Sequence, residues 1–281
     1  GIGALLLPMV ALRFGFGAMY GLLAVLCLLG ALLAAAWVRD PPAATDAKAA
    51  SNAASAEHSR PLHDMRVWRL VSGIGILCAP QFALLSFGTV FLHDVGHVGL
   101  VAISAAMTAV QAGAMAMRVW SGRWTDRLRN RPAYLRACTS LTVLLFVALG
   151  VVAMLPQDAF RDSSFVRAGL IGLVVVSGVC VSAWHGVAYT ELATLSGAAR
   201  AGTPLGMANT AVFAVCFVTP LSIPHLRAAL GWPLVWFAAS ACALVALPLL
   251  APATPCQAGC APGLQAGANI HARGSIERVV R

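Results

Sequence analysis

The sequence predicts an all-α protein that crosses a membrane many times, and three observations predict it. Mean hydropathy is +0.82 with only 10% charged residues, against roughly 25% charged in soluble domains. Apolar runs near the roughly 20 residues that a helix needs to span a bilayer recur along the chain. The basic residues fall in the gaps between those runs. Too little polar surface is available to coat a soluble domain. The net charge of +9 therefore reads as solvated loops facing an anionic leaflet. It does not read as a nucleic-acid footprint, which needs basic residues gathered on one solvated face.

In chain order, residues 1–12 are apolar but too short to span alone. No charged start or small-residue cleavage site precedes them, so they are not a signal peptide. They read as the latter half of a helix that begins before Gly1. Residues 18–38 form a clean span, closed by Arg39, Asp40 and the Pro41–Pro42 break. Residues 41–64 are polar and rich in Ala, Ser and Pro without apolar periodicity, which is a linker. Spans are expected at 67–92, 98–117, 137–155, 166–189, 205–223 and 233–250, the fifth of these weakened by Asn209 and Pro220. Residues 251–281 form a polar tail. Cys27, Cys78, Cys138, Cys180, Cys216 and Cys242 lie in or beside apolar runs and act there as small hydrophobes. Cys256, Cys260 and His271 are loosely spaced and lack a fourth ligand, so no metal is expected.

Alternate gaps carry very different charge. With the linker placed on the cytoplasmic side, fifteen of the nineteen Lys and Arg residues fall on that side, and Arg13, Arg161, Arg167 and Arg227 on the other. This positive-inside bias predicts a cytoplasmic linker and a cytoplasmic C-terminus.

Residues 118–136 hold six of those cations in nineteen positions. Within them Gly122, Asp126, Arg127 and Arg131 form G-x-x-x-D-R-x-x-x-R. Gly122 would let two helices approach closely, and Asp126 can accept hydrogen bonds from a helix N-terminus or an arginine, latching two helices together. The alternative is a topogenic loop with one incidental Asp. At 191–209, Glu191, Arg200, Gly202, Gly206 and Asn209 follow a second pattern, an acidic residue before an R/A-G…G-x-x-N run.

These patterns resemble the major facilitator superfamily of secondary transporters. Its signature loop between helices 2 and 3 recurs between helices 8 and 9, and the second pattern matches its helix 10–11 connection. The family loop reads G-x-x-x-D-R-x-G-R-R; Arg129 and Asn130 depart from it here. The string GIGALLLP at 1–8 is similar to the end of the family's helix 5. The resemblance implies partial helix 5 through helix 12. Residues 1–40 then close an N-terminal bundle, 41–64 link, 65–250 form a C-terminal six-helix bundle and 251–281 a tail, with the rest of the N-terminal bundle as partner. It further implies secondary active uptake or efflux of a small organic solute by alternating access, with protons as candidate coupling ion. No enzyme activity and no cofactor are implied. The Ala- and Arg-rich, Lys-poor composition points to a bacterial inner membrane.

Polar groups at mid-membrane depth are costly unless they serve a partner, and these are the candidate solute contacts. Gln81 follows Pro80, whose ring frees a carbonyl and favours a kink, with Phe82, Ser86 and Phe87 nearby. Gly178, Ser182, His185 and Tyr189 fall at i, i+4, i+7 and i+11, one helical face, with Trp184 beside it. Gln111 and Asn209 complete the set. In the superfamily helices 7 and 10 line the central cavity, which places Gln81 and the His185 face there by resemblance. Polar bridges inside the bundle, worth about 0.6 kcal/mol on average, are the alternative. His185 can also titrate near neutral pH and carry a proton. No Lys or Arg is expected centrally within a span, so no fixed cationic anchor is expected in this bundle. A membrane enzyme or a polytopic scaffold is the competing class, along with a non-functional truncated transporter. No H-E-x-x-H, G-x-S-x-G or G-x-x-x-x-G-K-[ST] occurs, so nothing supports metalloprotease, serine hydrolase or P-loop chemistry.

Overall fold

The computed structural model describes residues 2–37, 64–197 and 201–250. Among them all regular structure is helical: α1 (Ile2–Trp37), α2 (Met65–Asp94), α3 (Leu100–Leu128), α4 (Arg131–Val152), α5 (Gln157–Asp162), α6 (Ser164–Ser182), α7 (His185–Ser196) and α8 (Gly202–Leu249). Six of the described helical stretches are long and apolar enough to cross a membrane, α6 and α7 counting together as Ser164–Ser196. The protein is an all-α polytopic membrane protein. Two elements are jointed. Gly15 interrupts α1 at φ 82°. In α8, Leu230 and Gly231 leave helical geometry, Gly231 at φ 74°, a conformation open to a residue without Cβ.

The joint in α8 reverses the chain. A Cβ at Gly75 of α2 would lie 3.0 Å from Ala211, and one at Gly73 would lie 2.9 Å from Leu250, so both ends of α8 reach the same level of α2. At the opposite level Asp94 meets Arg227 and Phe91 packs on Trp232 and Trp236. The residues before and after Gly231 are thus two antiparallel helices on α2. The chain from α2 onward runs up and down between a basic end, holding Asp126, Arg131 and Glu191, and a far end, holding Asp94, Arg161 and Arg227. Tight reversals use left-handed backbone at Arg129 (φ 50°) at one end and His97 (φ 48°) at the other. Asp64 caps α2 by accepting the Arg66 N–H at 2.8 Å, and Ser163 caps α6 by accepting the Val166 N–H at 3.3 Å, each satisfying a first-turn donor.

Two buried layers fill the bundle. The far layer centres on Trp236, wholly buried between Phe91 (ring centroids 4.9 Å) and Phe146 (5.9 Å). The basic layer gathers Leu70, Ile74, Leu77, Trp184, Val187 and Ala243. Lipid gives helices no hydrophobic reason to associate, so small residues that allow close backbones matter. A Cβ at Gly178 would sit 2.7 Å from Val110 and 3.0 Å from Leu84, and one at Gly113 only 2.5 Å from Val179.

Three expectations from sequence need correction. The 98–117 span does not end at the basic stretch: α3 continues as helix to Leu128, leaving only Arg129 and Asn130 between it and α4. Nothing between 118 and 128 breaks a helix, because charged side chains are good helix formers and Gly122 is tolerated. The 166–189 span is not one helix, since it breaks at Ala183–Trp184 and resumes to Ser196. The 137–155 span begins earlier, at Arg131, where Pro132 suits the first turn.

Candidate functional site

Three helices meet at Ser182, the last residue of α6. Gln81 of α2 donates from Nε2 to its Oγ at 3.4 Å, and Arg118 of α3 donates from Nε to its carbonyl at 3.3 Å. That carbonyl is available because the last turn of a helix leaves its C=O groups without intrahelical partners. Gln81 is near the midpoint of the 30 residues of α2, whereas Ser182 and Arg118 lie toward the basic ends of α6 and α3. Arg118, expected in the basic loop, instead belongs to the α3 span, ten residues before its end. It lies in α3, eight residues before Asp126, about 12 Å along the axis.

Beyond the break, Trp184 stacks on His185 with centroids 4.0 Å apart, and His185 lies parallel to Tyr189 at 6.2 Å. Tyr189 donates its hydroxyl to Asn209 Oδ1 at 2.9 Å, tying α7 to α8. Gln81 Oε1, Trp184 Nε1 and His185 Nδ1 are buried without a hydrogen-bond partner among the described residues. Several unmet polar atoms near one junction are unusual in a packed interior.

The structure thus brings Gln81, Ser182, Trp184, His185 and Asn209 into one connected region. It does not bring Gln111, which is exposed on α3 without a hydrogen bond to a described residue, and Phe82 is half-buried. Gly178 packs on Val110 and Leu84, so the regular face expected from Gly178 to Tyr189 is interrupted. Trp184 is wholly enclosed, in the core rather than on an open face. Sequence reasoning missed Arg118 and the stripe it ends. Ser104, Thr108, Gln111, Met115 and Arg118, spaced i, i+4, i+7, i+11 and i+14, are all exposed on one side of α3. That spacing was the available signal.

At the basic end Arg131 donates from Nη2 to Asp126 Oδ1 at 2.8 Å and from Nη1 to Thr194 Oγ1 at 2.9 Å, with Glu191 Oε2 3.9 Å away. The α3–α4 turn is thereby fastened to α7. Arg127 has no described partner beyond its place beside Trp124 and Arg123 on the surface of α3. A Cβ added at Gly122 would meet nothing within 4 Å, so among the described residues this glycine mediates no close helix approach. Arg200 lies outside the described residues, as do Cys256, Cys260 and His271. Among the described residues no three His, Cys, Asp or Glu gather as a metal site.

The sequence that builds this bundle and its Asp–Arg clasp matches the family model of the Major Facilitator Superfamily over residues 1–220. The chain belongs to the Major Facilitator Superfamily. Superfamily members are membrane transporters, and this chain is a multi-pass membrane protein of that kind. No curated protein matches it, and no solved structure does. Among secondary transporters at large, solute sites are typically built where helices are interrupted, and α6 and α7 are separated at Ala183–Trp184.

Proposed function

We propose that the chain works in a secondary active transporter that moves a small organic solute by alternating access, with protons as candidate coupling ion. The observation that carries this reading is the exposed stripe from Ser104 to Arg118 on α3, which ends at the buried Gln81–Ser182 pair. A charge and several polar groups facing lipid would be expensive. They are at home facing a water-filled path, with Gln81, Phe82, Gln111, Ser182, His185 and Asn209 as the solute-contacting set and the enclosed Trp184 backing the His185 ring. On this reading the stripe faces a second bundle of the same transporter. The basic end is cytoplasmic, in a bacterial inner membrane, and residues 65–250 act as one bundle with 41–64 as linker. Asp126, Arg131 and Glu191, with Thr194, form the latch that closes the cytoplasmic end; Arg127 and Arg200 are the further cations assigned to it from sequence, and Gly122 has no part in it. The test is solute accumulation by cells expressing the full protein, compared by mass spectrometry with and without the membrane gradient. Gradient-dependent movement of a solute supports the reading; no such movement for any solute refutes it.

A further inference from the structure

Arg118 is a charge within the α3 span, ten residues before its basic end at Leu128, for which the described residues supply no counter-charge. The described ion pairs are His93–Asp94, Arg131–Asp126, Arg131–Glu191 and Arg227–Asp94. Asp126, the acidic residue nearest along α3, is committed to Arg131 at 2.8 Å. The guanidinium spends its Nε–H on the Ser182 carbonyl at 3.3 Å. That bond fixes the plane of the group and leaves both Nη nitrogens, the fork that matches a carboxylate in bidentate fashion, without a described partner. Charges within membrane spans pair, line water or mark a substrate path.

We propose that this fork binds the carboxylate of the transported solute, and that the transporter therefore carries small organic monocarboxylates. The inference rests on the transporter reading above and sharpens it to a substrate class. One guanidinium with a single free fork suits a monoanion better than a doubly charged phosphate. The neighbours suit an apolar body: Met115 is exposed one turn away on the same stripe, Phe82 is half-buried beside Gln81, and the parallel His185 and Tyr189 rings stand beyond the break. The headgroup layer is a poorer source of the anion, because the clasp at Asp126 lies about 12 Å further along α3.

The experiment uses the full chain purified in an uncharged detergent at constant ionic strength. The probes are sodium acetate, butyrate, benzoate and phenylacetate, each paired with its uncharged amide. At about 100 times its dissociation constant an acid should raise the melting midpoint by roughly 5–10 °C, and its amide should not. R118Q should abolish the shift. R118K keeps the charge but loses the fork, and should weaken binding at least about tenfold, the scale of one charge-assisted hydrogen bond. Should R118Q fail to fold, R118K decides alone. The proposal is overturned if the amides stabilise as well as the acids, if either variant keeps the full shift, or if none of the acids stabilises. Accumulation in cells separates the two levels of inference. Gradient-driven movement of neutral or cationic solutes, unaffected by R118K, leaves the transporter standing and removes the carboxylate. No movement of any solute removes both.

Discussion

Gly178 and Gly172 share helix α6, six positions apart, and the same substitution at each should have opposite effects. At Gly178 an added methyl would lie 2.7 Å and 2.9 Å from the two Val110 methyls and 3.0 Å from Leu84. Val110 and Leu84 are themselves wholly buried, so neither can move aside without pushing further neighbours. Ordinary contact begins near 3.4 Å, so α3 and α6 must separate by about 0.7 Å, an overpacking that costs about 1–3 kcal/mol. Alanine recovers up to about 1 kcal/mol of helix propensity, leaving G178A destabilised by about 0–2 kcal/mol. At Gly172 nothing lies within 4 Å, and G172A keeps only the propensity gain of up to about 1 kcal/mol. The two variants should therefore differ by about 1–3 kcal/mol, or roughly 2–12 °C in melting midpoint at about 2–4 °C per kcal/mol. Melting of the purified protein in detergent, followed by size-exclusion chromatography after heating, measures the difference. Equal midpoints for the two variants would show that α6 does not cross α3 at Gly178.

Other outcomes follow from the ends and the interior of the bundle. R131A removes the bonds to Asp126 and Thr194; with the Arg131 side chain only 23% exposed, this should cost about 1–3 kcal/mol, while solute flux falls sharply if the clasp is a latch. Unchanged flux refutes the latch. Cys78 and Cys216 place their sulfurs 3.6 Å apart between α2 and α8. Copper phenanthroline should join them after a closure of about 1.5 Å, detected by peptide mass mapping and abolished by C216S; a linkage absent from the map would refute this pairing of helices. At the far end, W236A should cost about 3–5 kcal/mol, the range for truncating a buried tryptophan. D94N should cost under about 1 kcal/mol, since Arg227, which meets Asp94 at 2.7 Å, is half exposed and also rests over Trp232. Equal losses in melting midpoint would mean that charge, not packing, holds that end.

Span positions were legible because a bilayer imposes a length and a polarity that composition records directly. The reversal in α8 was legible too, since Gly231 and Pro233 punctuate it. What escapes a linear reading depends on contacts between distant residues. The α6–α7 break falls at Ala183–Trp184, neither of which is a helix breaker, so local chemistry gives no warning. Arg118 reads as part of a loop because it opens a run of cations. Only its bond to Ser182, 64 residues away, shows it tied to the junction of α2, α3 and α6. Spacing singles out Asp126 and Arg131, whereas Thr194, which completes their clasp, carries no signal in a string of common helix residues.

The joint beside Ser182 has a mechanical consequence. Helix α7 joins α6 through the turn at Ala183–Trp184 and is clasped at Thr194, which lies nine residues from its first residue, His185, about 14 Å along the axis. A tilt of about 10° at this turn swings Thr194 sideways by about 2 Å over that length, enough to part a hydrogen bond. On the proposed latch reading, a small tilt of α7 at this turn would therefore suffice to release the clasp at Thr194.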